Sequence, residues 1–331
     1  MEADKMKTVQ IPRVPFAVSK ICLGCAPHGT SVPKPLAHEI LDYYYDKGGF
    51  FFNTAHEYGD GLSEQCLGEW VRSRSLRDKV IITTKGGEDG KVPGTLTLHR
   101  EDLIQDMDES LSRLGLDYVD FFMLHVDDPT VDISEILDTL EDLRKAGKMR
   151  YYGCSNWSVE RQRAASDYAK AHGSPGFVID EIEFNLARNN RTNRGICKWL
   201  DEDFIALHEE DGVCVGGYSA MASGIFSQYA LTENFDHLVT WRASLFDNPY
   251  NREMSVRIKK LSNETGWTAA QIQLAWLMNH PYRFPSFSII GAMEIAHLED
   301  SLGACDLRLT PDMMDYLLPD YREFPEGQRI E

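Results

Sequence analysis

No apolar stretch in the sequence approaches the ~18 residues that a membrane-crossing helix needs. The opening MEADKMKTVQIPRVPFAVSK carries charge but no apolar core of signal-peptide length. Neither a membrane partner nor export is expected, and a cytoplasmic location is. Positive charge is scarce as well: 34 Lys and Arg stand against 52 Asp and Glu, a formal net charge of −18. With no basic stripe to oppose that field, nucleic acid is an unexpected partner too. The cysteines are seven, an odd and scattered set that fits a reducing compartment. Only Cys22 and Cys25 form a CxxC pair, and on a strand positions i and i+3 face opposite sides, which argues against a shared metal or redox role. Three further motifs are missing. LGCAPHG lacks the G-x-G-x-x-G of an open dinucleotide-binding sheet, no G-x-x-x-x-G-K-[ST] phosphate loop occurs, and the first strand has no H-x-H for a metal.

What is present is alternation. Eight short β-rich runs recur: SKICLGC, GFFFNTA, KVIITTK, YVDFFMLH, MRYYGCSN, FVIDEIEF, GVCVGGYSA and SFSIIGA. Between them lie helical patterns, such as Leu103, Ile104, Met107, Leu111 and Leu114, then Ile133, Ile136, Leu137, Leu140 and Leu143 with Gly147 as a stop. Near-continuous apolar strands imply burial on both faces, hence a parallel sheet covered by helices. Eight strand–helix units in 331 residues predict one (β/α)8 barrel domain over residues 1–331, with residues 230–253 inserted after strand seven.

In such barrels chemistry sits at the C-terminal ends of the strands. Asn53 and Tyr58 follow strand two, Lys85 ends strand three, His125 follows strand four, Ser155 and Asn156 end strand five, and Tyr218 and Ser219 end strand seven. A phenol titrates near pH 10, too high for a poised acid or base. A neighbouring ammonium favours phenolate, and an imidazole can orient a substrate carbonyl. Tyr58, Lys85 and His125 together suit proton delivery to an oxygen whose carbon receives hydride.

NTAHEYGDGLSE, TTKGG, LHVDDP, YYGCSNWS, EIEFNL, YSAMASG and IIGAMEIAHLEDSL occur in the order and spacing of one family, from about residue 17 to about residue 317. On them the chain resembles an aldo-keto reductase. The resemblance implies a nicotinamide dinucleotide cofactor and a small-molecule carbonyl substrate. It implies Tyr58 as acid/base, Lys85 as its partner, and His125 as the group that orients substrate. It also implies Ser155, Asn156 and Glu181 near the nicotinamide carboxamide and Tyr218 stacked on the ring. Ser219, Ser223 and Gly224 would lie near the pyrophosphate. Gly291, Ala292, Met293, His297, Asp300 and Ser301 would lie along the adenosine loop.

Three departures stand out. Asn53 occupies the place of the family's aspartate, so burial without that carboxylate should lower the Lys85 pKa and slow the reaction. Glu181 replaces the usual glutamine. Met293 stands where relatives carry a cation for the 2′-phosphate, and Glu294 is adjacent, so NAD is slightly favoured over NADP. His56, Val126, Asp127, Trp157 and Trp241 are expected substrate contacts, and the indoles suggest a sugar or polyol-like molecule. The alternative to catalysis is a weakened nucleotide-binding sensor or subunit, which Asn53 and Glu181 favour.

Overall fold

A computed structural model describes residues 6–88, 96–190, 197–235 and 245–318. All eight expected strands form: β3 Ile21–Gly24, β4 Phe51–Asn53, β5 Ile81–Gly86, β6 Val119–Leu124, β7 Met149–Ser155, β8 Ile179–Glu183, β9 Cys214–Tyr218 and β10 Ser286–Gly291. They close into a parallel barrel in the order β10-β3-β4-β5-β6-β7-β8-β9. Two strands preceding it, β1 Thr8–Gln10 and β2 Ala17–Ser19, form an antiparallel hairpin. Its turn residues Ile11 and Val14, with Val18 of β2, pack on Phe51, Phe121 and Phe287 at the bottom of the barrel. The Phe51 ring is 4.9 Å from Phe287 and 5.9 Å from Phe121, so an aromatic layer seals the lumen below the polar layer.

The helices cover the outside: α1 Lys34–Asp46, α2 Leu62–Ser73, α3 Arg100–Leu114, α4 Ile133–Lys145, α5 Val159–His172, α6 Glu202–Asp211, α7 Ile225–Thr232, α8 Pro249–Thr265, α9 Ala269–Met278, α10 Ile295–Gly303 and α11 Pro311–Leu317. Their registers follow the sequence periodicity. In α3 the inward face is Leu103, Met107, Ser110 and Leu114, and in α4 it includes Ile136, Leu137, Leu140 and Leu143. Each of these two helices is stopped by a left-handed glycine, Gly115 at φ 63° and Gly147 at φ 81°. The expected insertion is partly absorbed into helices: residues 230–232 complete α7 and 249–253 begin α8. Residues 236–244, including Trp241, lie outside the described residues. No described helix is long and apolar enough to cross a membrane.

Cys22 faces the lumen layer and Cys25 the outer core, so alternation separates them as expected. No disulfide links the cysteines among the described residues.

Where α2 crosses α3, Gly68 lets the backbones touch, because a Cβ there would lie 2.1 Å from the Leu114 carbonyl oxygen. Gly68→Ala would ordinarily gain helix propensity. Here the obstacle is backbone, and the helices must separate. The substitution is expected to cost ~1–3 kcal/mol in denaturant unfolding; unchanged stability would contradict the close approach.

Candidate active site

The polar layer above the aromatic seal is assembled from opposite walls of the barrel. Asn53 ends β4, Lys85 lies on β5, and Glu181 lies on β8, four strands from β4 around the closed order. Their side chains meet in the lumen, with Asn53, Lys85 and Glu181 only 2–3% exposed. The Lys85 ammonium donates to Asn53 Oδ1 at 2.6 Å, to the Thr54 carbonyl at 2.9 Å and to the Tyr58 hydroxyl at 3.3 Å. Three acceptors match its three protons. Asn53 Nδ2 in turn donates to Glu181 Oε1 at 2.6 Å, and Glu181 Oε2 lies 3.5 Å from Lys85 Nζ. Gly216 on β9 makes room for that carboxylate, since a Cβ there would come within 3.0 Å of Glu181 Cγ.

This arrangement corrects the expectation that Lys85 lacks a countercharge. Burial by itself would lower its pKa, but the Glu181 carboxylate and the Tyr58 oxygen more than offset that, and Lys85 is held above the ordinary lysine range. Tyr58 also differs from expectation. Burial raises its pKa, Lys85 opposes the rise, and the net direction is upward. At neutral pH Tyr58 is therefore a protonated phenol, suited to donate.

His125 follows β6 and stands edge-on to Tyr58, with ring centroids 5.7 Å apart. Its Nδ1 lies 3.0 Å from Glu57 Oε2 and 3.8 Å from Glu88 Oε2. Burial works against a charged Glu57, yet the neighbouring His125 holds its carboxyl below the usual range. With Nδ1 in contact with Glu57, Nε2 is the nitrogen left for a substrate. Glu88 was not foreseen. It follows TTKGG with nothing in its local pattern to set it apart from a solvated loop acid.

The expected cofactor residues fall into three groups. Ser155 Oγ donates to the Glu181 carbonyl at 2.8 Å. Asn156, left-handed at φ 62°, donates to the His125 carbonyl at 3.1 Å and accepts from the Tyr218 hydroxyl at 2.8 Å. These three adjoin the polar layer. Ser219, Ala222, Ser223 and Gly224 are all left-handed and run directly into the N-terminus of α7. The Ala222 and Gly224 N–H groups donate to the Ser219 and Met221 carbonyls, so a pyrophosphate at this turn would be met by the N-terminus of α7. Further on, Gly291 and Met293 are exposed just before α10, while Ala292 and Ser301 are buried. Ser301 bonds the His297 carbonyl, and Asp300 accepts from Thr268 at the start of α9. Both serve helix ends.

Several expected substrate contacts belong to the scaffold instead. His56 Nε2 lies 2.9 Å from Glu109 on α3, turned away from Tyr58's partners. Asp127 is clasped by Arg161, with contacts of 3.0–3.2 Å. Trp157 is fully buried, edge-on to Phe177 at 5.1 Å, and Val126 is 3% exposed. The polar or aromatic character that drew attention to His56, Asp127 and Trp157 is spent on loop anchoring.

A closed parallel barrel with a phenol, an ammonium and an imidazole at its C-terminal rim is the architecture of a barrel oxidoreductase. Residues 20–318 match the model of the Aldo/keto reductase family. The chain belongs to that family and is an oxidoreductase. It is 31% identical to the aldo-keto reductase ausK of Emericella nidulans, over 92% of this chain and 79% of that protein. It is 29% identical to an aryl-alcohol dehydrogenase (NADP+) of Phanerodontia chrysosporium, over 90% and 80%. Among solved structures, a thermostable aldo-keto reductase in complex with the inhibitor epalrestat superposes with a TM-score of 0.70 at 21% identity, over 94% of this chain and 98% of that one.

Trp157→Ala is expected to cost ~3–5 kcal/mol of stability by leaving a cavity. Trp157→Phe should leave KM for any accepted carbonyl within about twofold. A large KM rise in the Phe variant at unchanged stability would return Trp157 to the substrate.

Proposed function

We propose that the chain reduces uncharged aldehydes or ketones with NADP(H), Tyr58 delivering the proton. The observation that carries this reading is the joint placement of Tyr58, Lys85 and His125. The hydroxyl is bonded to the ammonium at 3.3 Å and its ring abuts the imidazole. When bound, the nicotinamide supplies hydride to the carbonyl carbon. Ser155, Asn156 and Tyr218 would hold its carboxamide end and ring, and the Ser219–Gly224 turn its pyrophosphate. His125 orients the substrate oxygen, Tyr58 gives that oxygen its proton, and Lys85 stabilises the phenolate left behind.

NADP replaces the slight lean to NAD. That lean weighed Met293 and the adjacent Glu294, whose carboxylate lies 3.2 Å from His297 Nε2. The adenosine end would also face the first turn of α10, and a helix start provides N–H donors to a phosphate. The name of the Phanerodontia relative supports the phosphorylated cofactor. For the substrate, the sugar-like reading loses one of its two indoles, since Trp157 is buried and Trp241 lies outside the described residues. Glu57 and Glu88 place negative charge beside His125, so carboxylated or phosphorylated substrates are disfavoured. The sensor alternative rested on Asn53 and Glu181 as separate departures, and their 2.6 Å hydrogen bond beside Lys85 supports reading them as one compensated pair instead.

The tests follow NADPH absorbance against a panel of aryl aldehydes, aldoses and acidic analogues. Neutral aldehydes should react fastest, and Tyr58→Phe should lower kcat by ~10²-fold or more while leaving cofactor affinity within about threefold. Because the Tyr58 pKa is raised, reduction should stay flat through neutral pH and fall only above about pH 10, as the phenol loses its proton. No turnover of any panel member, with NADPH binding intact, would overturn the reading.

A further inference from the structure

A buried ammonium needs a fixed opposite charge, and the structure offers one. Among the described residues, Glu181 is the only carboxylate within 4.0 Å of Lys85 Nζ. It does not take a proton-sharing bond from the ammonium, whose three donors face Asn53, Thr54 and Tyr58. It acts by charge, and its position is set by Asn53. The carboxamide must turn its oxygen to the ammonium, which leaves Nδ2 needing an acceptor. Glu181 Oε1 meets that need at 2.6 Å.

We propose that Glu181 is a positioning residue which supplies the countercharge of Lys85 across the barrel, with the Asn53 carboxamide as the bridge, so that residues 53 and 181 form a matched amide–carboxylate pair. The pairing has a direction. Asp at 53 beside Glu181 would set two carboxylates at hydrogen-bond distance, where both cannot stay ionised. Gln at 181 beside Asn53 would leave the ammonium with no counterion. Exchanging both residues moves the carboxylate to the near wall, bonded to the ammonium, with the amide behind it. Each single substitution is therefore harmful and the double is not. Asn53→Asp in the natural background is expected to slow the enzyme.

The inference rests on the carbonyl-reduction reading for its kinetic arm alone. Four proteins are compared: wild type, N53D, E181Q and N53D/E181Q. Each single variant should lose roughly tenfold or more in kcat/KM for the best panel aldehyde, and the double should recover to within about fivefold of wild type. The pH profiles should differ in opposite senses. In E181Q the Lys85 pKa falls, so the alkaline limb moves to lower pH. In N53D a carboxyl pKa rises, so a new ionisation appears on the acid side.

Melting temperature gives a readout independent of turnover. Lys85 without its counterion has a folded pKa below its unfolded one, so E181Q pays a penalty wherever the unfolded chain holds that proton. The deficit of E181Q against wild type is expected to be large at about pH 7 and to shrink toward about pH 10. If E181Q fails to fold, N53D against the double variant carries the test. A double variant no better than the worse single one, or an E181Q protein with the wild-type pH profile and melting curve, overturns the pairing. A wild type silent on every carbonyl overturns the functional reading instead, and the melting arm still decides the pairing.

Discussion

One buried positive charge organises this site. Lys85 is 3% exposed inside a barrel whose floor is aromatic, and an unpaired ion in such a place costs several kcal/mol even after relaxation. The fold tolerates it because Glu181 reaches in from the opposite wall and Asn53 ties the two together. Tyr58 then inherits its chemistry. Burial keeps the phenol protonated, while the ammonium beside it is ready to stabilise the anion formed once the proton has left. The same charge that makes the resting site expensive makes its reacted form affordable.

Geometry follows from strand alternation in a closed barrel. Side chains from strands four apart project into one layer, so residues 53 and 181 meet although 128 positions separate them in sequence. The layer beneath is filled by Phe51, Phe121 and Phe287 and closed from below by the β1–β2 hairpin. The layer above opens toward His125, which Glu57 steadies. Small features keep the layer intact. Gly216 leaves the space that the Glu181 side chain occupies, and the left-handed turn at Ser219–Gly224 brings the chain into α7 where an anion can be met.

Much of this was legible in the sequence. The eight strands, the two helical faces on α3 and α4, and the strand-end placement of Tyr58, Lys85 and His125 follow from local periodicity, which needs no knowledge of distant contacts. The hairpin at residues 8–19 was not read, because three-residue strands give too little alternation to detect. At the site, Asn53 and Glu181 were each seen as departures, but one at a time. Their compensation depends on barrel closure bringing β4 and β8 face to face, which no sequence window contains. Trp157 misled for a related reason: an indole near a strand end has the same letter whether it lines a pocket or, as here, packs on Phe177 and Arg161.

The charge state of one nitrogen is the most direct point of attack. Heteronuclear NMR of the lysine side chains, with Lys85 assigned by a Lys85→Arg comparison, follows that nitrogen through an alkaline titration. The account predicts that Lys85 keeps its proton after the exposed lysines have lost theirs. A Lys85 signal that turns neutral well before them would mean that Glu181 does not hold it, and the account of the site would be wrong at its base.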